Sequence, residues 1–200
     1  AYSPSIWKRM FEIIPDDNII WSFHNYDPFL LTHQGATWAG DFIGYVTGIP
    51  YPPHASPAAS EAALAGIRDR IDSEAPFLRR SALVAYLDEQ YAAIGTSGGL
   101  ASAMASGFDR VAAWAKRHGV AQRDILLGEF GMIRQEYGSA YVIPGAWRAA
   151  YARDMIGLAE EHGFAWALWS YGGAFGIVDA FDNSRAEPDV LDMVRHLPPR

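Results

Sequence analysis

Asp124-Ile125-Leu126-Leu127-Gly128-Glu129-Phe130-Gly131 is a short apolar run that ends on a carboxylate and is released by glycine. A run of this length between turn residues reads as a buried strand, and its charged end reads as the place where a parallel α/β protein keeps its chemistry. Two other stretches share this build. Ile19 to Phe23 (IIWSF) leads into His24-Asn25-Tyr26, and Phe164 to Trp169 (FAWALW) leads into Ser170-Tyr171-Gly172-Gly173.

Helical patterns separate these strands. From Ala58 onward Ala62, Ile67 and Ile71, then Leu83, Leu87 and Tyr91, recur near helical spacing, and a break is expected from Gly95 to Gly99. Ala101 to His118 resumes with Met104, Phe108, Val111, Ala112 and Ala115 as its apolar stripe, and Gly119 is the expected stop. Pro144 to His162 sets Trp147, Tyr151, Met155, Ile156 and Ala159 on one side with Arg148, Arg153 and Glu160 elsewhere, and Pro188 to His196 reads as a last helix. Asp27 to Pro57, rich in proline, glycine and aromatics, reads as a long structured loop.

The order of strand, long loop, helices, strand, helix, strand, loop, helix is the repeat of a parallel α/β protein. No GxGxxG or GxxxxGK[ST] string marks the phosphate turn of a doubly wound sheet. The expected fold is therefore α/β, a (β/α)8 TIM barrel. This chain would cover roughly its C-terminal half, about three βα units plus a long loop and helical insertion.

Composition narrows the functional classes. Half of the 200 residues are hydrophobic, enough to bury a core, so a disordered polymer is excluded. Sixteen basic residues against 23 acidic ones give a net charge of -7, which offers no footprint for nucleic acid. The absence of cysteine excludes disulfides and thiolate sites but leaves the compartment open. No apolar run is long enough for a membrane span, and Ala1 to Met10 lacks the layout of a signal peptide. Ala1 is not a translation start, so a preceding segment is expected. Seven Trp, ten Tyr and ten Phe could serve as platforms for sugar rings or as core filling.

The three strand ends together resemble glycoside hydrolase family five, the cellulase-like (β/α)8 barrels. Ser22-Phe23-His24-Asn25-Tyr26-Asp27-Pro28, followed by Thr32-His33-Gln34-Gly35-Ala36, is similar to the family's sixth strand; Leu127-Gly128-Glu129-Phe130-Gly131 resembles the seventh; and Ala165-Trp166-Ala167-Leu168-Trp169-Ser170 resembles the eighth. The resemblance implies that residues 1–200 are the C-terminal part of one catalytic domain, with Ala58 to Ser102 as an insertion. It also implies a retaining endo-β-glucanase with Glu129 as nucleophile, supported by Tyr26 and His24. Trp169, Trp38, His33 and Tyr171 become the expected substrate-binding residues. No metal and no cofactor is expected, since His24 and His33 make a poor metal pair on their own. The partner it implies is a β-glucan or related polysaccharide, and the location it implies is secreted or periplasmic.

Retention needs a second carboxyl group about 5 to 5.5 Å from the first. The family carries it in an Asn-Glu-Pro string on strand four, and no such string precedes Glu129 here. The acid/base is therefore expected on a missing N-terminal half of the barrel, and these residues alone are expected to be inactive. Ala186-Glu187-Pro188 reads instead as a helix start, with the acid at the positive end of the dipole.

Alternatives stay open at this stage. Glu129 could be a solvated strand-end carboxylate, Trp38 could be a packing residue, and Tyr45 and Tyr51 are further candidates for the rim of a cleft. Asp27 is expected to accept a hydrogen bond that fixes the way out of its strand. One rival function is a catalytically inactive half-barrel that binds polysaccharide or a protein partner. Another is a phosphate-binding barrel enzyme, for which Ser170 to Gly173 is the available loop.

Overall fold

The computed structural model describes residues 14, 16, 18–178 and 184–198. Ala1 to Met10, compared above with a signal peptide, lies outside the described residues. Strands β1 (Trp21–His24), β2 (Ile125–Glu129) and β3 (Ala165–Trp166) form a parallel sheet in the order β1-β2-β3. The last strand is shorter than its apolar run predicts. Its ladder nevertheless continues, because the Ala167 and Trp169 N–H groups donate to Leu127 O and Phe130 O, each at 2.9 Å.

Six helices accompany the sheet among the described residues: α1 (Phe29–Thr32), α2 (Pro57–Glu74), α3 (Arg80–Ile94), α4 (Ser97–His118), α5 (Gly145–Glu161) and α6 (Pro188–Arg195). The periodic stretch that starts at Ala58 is two helices, divided at Ala75-Pro76, where proline cannot continue the hydrogen-bond ladder. The break expected from Gly95 to Gly99 is shorter than predicted. Thr96 caps α4 by accepting the Gly99 N–H at 3.1 Å, so Gly98 and Gly99 lie within the first turn. Gly119 ends α4 as expected, with a left-handed φ of 70°.

One face of the sheet packs on helices. Phe23 meets Phe108 of α4 edge-on at 5.6 Å and Phe164 at 5.9 Å, while Trp21 meets Trp114 at 5.1 Å. Ile125 and Leu127 of β2 are fully buried in this layer, together with Met155, Ile156 and Ala159 of α5. The opposite face is open, with Ser22, His24, Ala165, Ala167 and Trp169 exposed. Helices α2 and α3 are buried through Leu64, Ile67, Ile71, Leu83 and Leu87, and α3 rests on α4.

Candidate active site

Glu129 reaches the open face through a local break in the strand pattern. Trp21 pairs with Ile125, Ser22 with Leu126 and Phe23 with Leu127, but His24 pairs with Glu129, so Gly128 is an extra residue on β2. Strict alternation would send Glu129 to the same side as the buried Ile125 and Leu127. The bulge turns it over to stand beside His24. Glycine fits the crowding there, since a Cβ at position 128 would collide with Ser22 Oγ unless that side chain turned away.

Three predicted residues meet at this point. Tyr26 donates its hydroxyl to Glu129 Oε2 at 3.0 Å, and His24 Nδ1 lies 3.2 Å from the same oxygen. The Glu129 side chain is 25% exposed and that of His24 is 42% exposed, so the carboxylate is held firmly yet remains reachable. The main chain of Trp169 runs beside Phe130 and Gly131, the two residues after Glu129, and a Cβ at Gly131 would collide with Trp169 O. Trp169 is 45% exposed, on the open side of its strand. Trp38 and Tyr171 are also exposed, on the loops that follow β1 and β3.

His33 is placed differently from a sugar-binding residue. It is buried, its ring stacked on Phe29 at 3.9 Å and edge-on to Tyr26, Trp38 and Phe175 between 5.2 and 5.6 Å. Thr32 donates to Tyr26 O at 2.7 Å, so His33 Nδ1 donates to Thr32 Oγ1 at 2.9 Å. Burial holds its pKa down at about 4, so the ring stays neutral and serves as a wall behind Tyr26.

Tyr51 is likewise not a rim residue. It is buried, donates to Asp154 Oδ2 at 2.6 Å and packs edge-on to Tyr151, and its hydroxyl is pushed well up, first by burial and then by Asp154. Asp27 fixes the way out of β1 through its backbone: its N–H donates to Asn25 Oδ1 at 3.0 Å and its carbonyl accepts the Tyr151 hydroxyl at 3.3 Å. Burial raises the Asp27 carboxyl, with Arg110 opposing.

Several supporting residues escaped the sequence reading. Asn25 is buried, donates to Met104 O at 3.3 Å and sits against Gly107, where a Cβ would come within 2.7 Å of its amide nitrogen. An isolated glycine inside a helical pattern was the available signal for that close approach.

Arg148, placed by its charge away from the apolar side of its helix, is in fact 4% exposed. It donates through Nε to Met132 O at 2.8 Å and through Nη2 to Phe175 O at 2.6 Å, which anchors the loops after β2 and β3. Phe175 in turn packs on Tyr26 at 5.6 Å. Glu187 stands at the start of α6, as the sequence predicts, and also supplies the countercharge to Arg148. Its Oε1 lies 2.9 Å from Arg148 Nη1 and 3.0 Å from Arg134 Nε, though neither donor is aimed along a hydrogen-bond direction, so the attraction is ionic. Among the described residues no cluster of three metal-ligating side chains forms, and no helix is long and apolar enough to cross a membrane.

No family model matches the chain. Over 50 residues, 25% of this chain and 14% of the relative, it is 40% identical to Endoglucanase C of Acetivibrio thermocellus. Over 28 residues, 14% of this chain and 8% of the relative, it is 54% identical to Cellodextrinase A of Ruminococcus flavefaciens. Among solved structures, 92% of the chain matches 43% of the Clostridial cellulose synthase subunit Z from Clostridioides difficile, with TM-score 0.55 and 22% identity. Another match covers 95% of the chain and 44% of Thermotoga maritima Cel5A in complex with cellobiose, with TM-score 0.53 and 19% identity. The chain thus spans less than half the length of these solved chains and a small part of its curated relatives. At these identities the structural likeness is one of fold: a parallel sheet with its helices, shared with part of a larger protein.

Proposed function

We propose that these residues form strands six to eight of a (β/α)8 barrel in a cellulase-like glycoside hydrolase of family five, the C-terminal part of one catalytic domain. In this reading Glu129 is the nucleophile for retaining hydrolysis of a β-glucan. The observation that carries the proposal is the convergence of Tyr26 Oη and His24 Nδ1 on one oxygen of a half-buried carboxylate at a strand end. Partial sequence identity to an endoglucanase and a cellodextrinase supports the substrate class.

The chemistry follows from that geometry. Tyr26 and, in its Nδ1–H tautomer, His24 both engage Oε2, leaving Oε1 to attack the anomeric carbon. The bond to the leaving oxygen breaks as that oxygen takes a proton from the acid/base, giving a glycosyl ester on Glu129. Water, deprotonated by the same acid/base, then attacks the anomeric carbon and releases Glu129 as carboxylate, with net retention. The acid/base belongs, in this reading, to the preceding half of the barrel. Trp169 offers its exposed indole as a platform for the sugar at the cleaved bond, with Trp38 and Tyr171 on the flanking loops. A polymeric substrate places the protein outside the cytoplasm.

Glu129→Gln in the complete protein tests the proposal. The expected result is a loss of turnover of at least about 10³-fold with oligosaccharide binding retained. Undiminished turnover would remove Glu129 from the mechanism.

A further inference from the structure

We infer that Asn25, buried beneath the site, is a positioning residue that sets the reach of Tyr26 to Glu129 by clamping the end of β1 between β2 and α4. This inference rests on the glycosidase reading.

Asn25 stands between His24 and Tyr26, the two residues that engage the carboxylate, but its side chain takes the opposite course. Asn25 is 4% exposed, whereas the His24 side chain is 42% exposed. Three contacts hold it. Its N–H donates to Glu129 O at 3.0 Å, which closes the ladder just past the bulge. Its Oδ1 accepts the Asp27 N–H at 3.0 Å, and its Nδ2 donates to Met104 O in α4 at 3.3 Å. The Asp27 N–H can only donate, so the atom facing it is the amide oxygen, and the nitrogen is left for the Met104 carbonyl.

Tyr26 is thereby gripped through its own backbone. In the peptide unit that joins it to Asp27, the N–H is tied to Asn25 Oδ1 and the carbonyl accepts the Thr32 hydroxyl at 2.7 Å. Because a peptide unit is planar, two ties fix its orientation, and with it the direction in which the Tyr26 side chain leaves the backbone. That direction brings the phenol to Glu129 Oε2 at 3.0 Å.

Stability alone does not account for this arrangement. Gly107 lies in the middle of α4, where glycine weakens a helix relative to alanine, and a Cβ there would come within 2.7 Å of Asn25 Nδ2. A buried amide, for its part, gains little net stability over an apolar side chain of the same shape. Two features that each weaken the core therefore meet beside the residue that holds Glu129. What they supply is placement, and a misplacement of about 1 Å can lower a rate by about 100-fold.

The test uses the complete protein, with steady-state kinetics and NMR of isotope-labelled tyrosine side by side. Tyr26→Phe identifies the Tyr26 signal by its loss, and Glu129→Ala gives its position when the phenol has lost its acceptor. The signal is expected to move toward the Glu129→Ala position in Asn25→Ala, and also in Gly107→Ala, which displaces the amide while favouring the helix. We expect kcat to fall about 5- to 50-fold in the first and about 3- to 10-fold in the second, with KM nearly unchanged. Combined with Tyr26→Phe, neither should lower kcat more than about 2-fold further, because Asn25 acts through that hydroxyl. A Tyr26 signal unmoved in Asn25→Ala, or in Gly107→Ala should the first variant not fold, would overturn the positioning role and leave the glycosidase reading in place. So would kcat losses as large beside Tyr26→Phe as in the wild type. A wild-type protein that does not turn over β-glucan would overturn that underlying reading, and the catalytic part of Asn25 with it.

Discussion

Acid should destabilise this protein through one buried ring. In the folded state His33 titrates at about 4, because burial disfavours its charged form, against an ordinary value of 6.5. As pH falls through 6.5 the unfolded chain takes up a proton that the folded chain refuses, so stability is lost down to about pH 4 and the loss then levels off. With those two values the loss is about 2 kcal/mol at pH 5 and approaches roughly 3 kcal/mol below pH 4. The measurement is urea unfolding followed by tryptophan fluorescence at pH 7 and pH 5, for the wild type and for His33→Asn. The asparagine amide can replace the Nδ1 donor to Thr32, and its packing cost is present at both pH values, so it cancels in the difference. The variant is expected to lose about 2 kcal/mol less than the wild type between the two pH values. An identical pH dependence in both proteins would refute the reasoning.

Two further perturbations probe the support of Glu129. Tyr26→Phe removes the 3.0 Å bond to a charged oxygen, and steady-state kinetics of the complete protein should show kcat down about 10- to 100-fold with KM nearly unchanged. An unaltered kcat would mean that Tyr26 only fills space. Glu187→Gln leaves Arg148, 4% exposed, without its countercharge and should destabilise by about 3 to 5 kcal/mol, read as a fall of roughly 6 to 20 °C in melting temperature. A fall of less than about 2 °C would show that the carbonyls of Met132 and Phe175 alone satisfy the guanidinium.

What was legible in the sequence was what short range decides. Apolar runs of strand length located all three strands, and Gly119 marked the end of α4 through the left-handed backbone that glycine adopts at no steric cost. The meeting of His24, Tyr26 and Glu129 was what the family resemblance implied, and it is realised because parallel strands bring their C-terminal ends together. Burial of charged and polar residues was not legible. Arg148 and Glu187 lie 39 positions apart, and Tyr51 lies 103 positions from its acceptor Asp154, so the burial of Arg148, Glu187 and Tyr51 shows only once the partners are in place. His33 stood inside a family-like string, yet its ring turned inward, because a string specifies neighbours in sequence and not the side on which the ring packs.

Glu129 itself shows why the distinction matters. Read by alternation, the strand would place it with Ile125 and Leu127 against the helices, where an ionised carboxylate is costly to bury. Only a second strand reveals the extra residue at Gly128, because a bulge is a mismatch between two chains and has no length within one. The glycine therefore acts twice. Lacking a Cβ, it lets β2 pass Ser22, and by adding one residue it turns the carboxylate towards Tyr26 and His24. The local departure from strand order is what separates a buried acid from an accessible carboxylate, so the bulge belongs to the catalytic proposal as much as the carboxylate does.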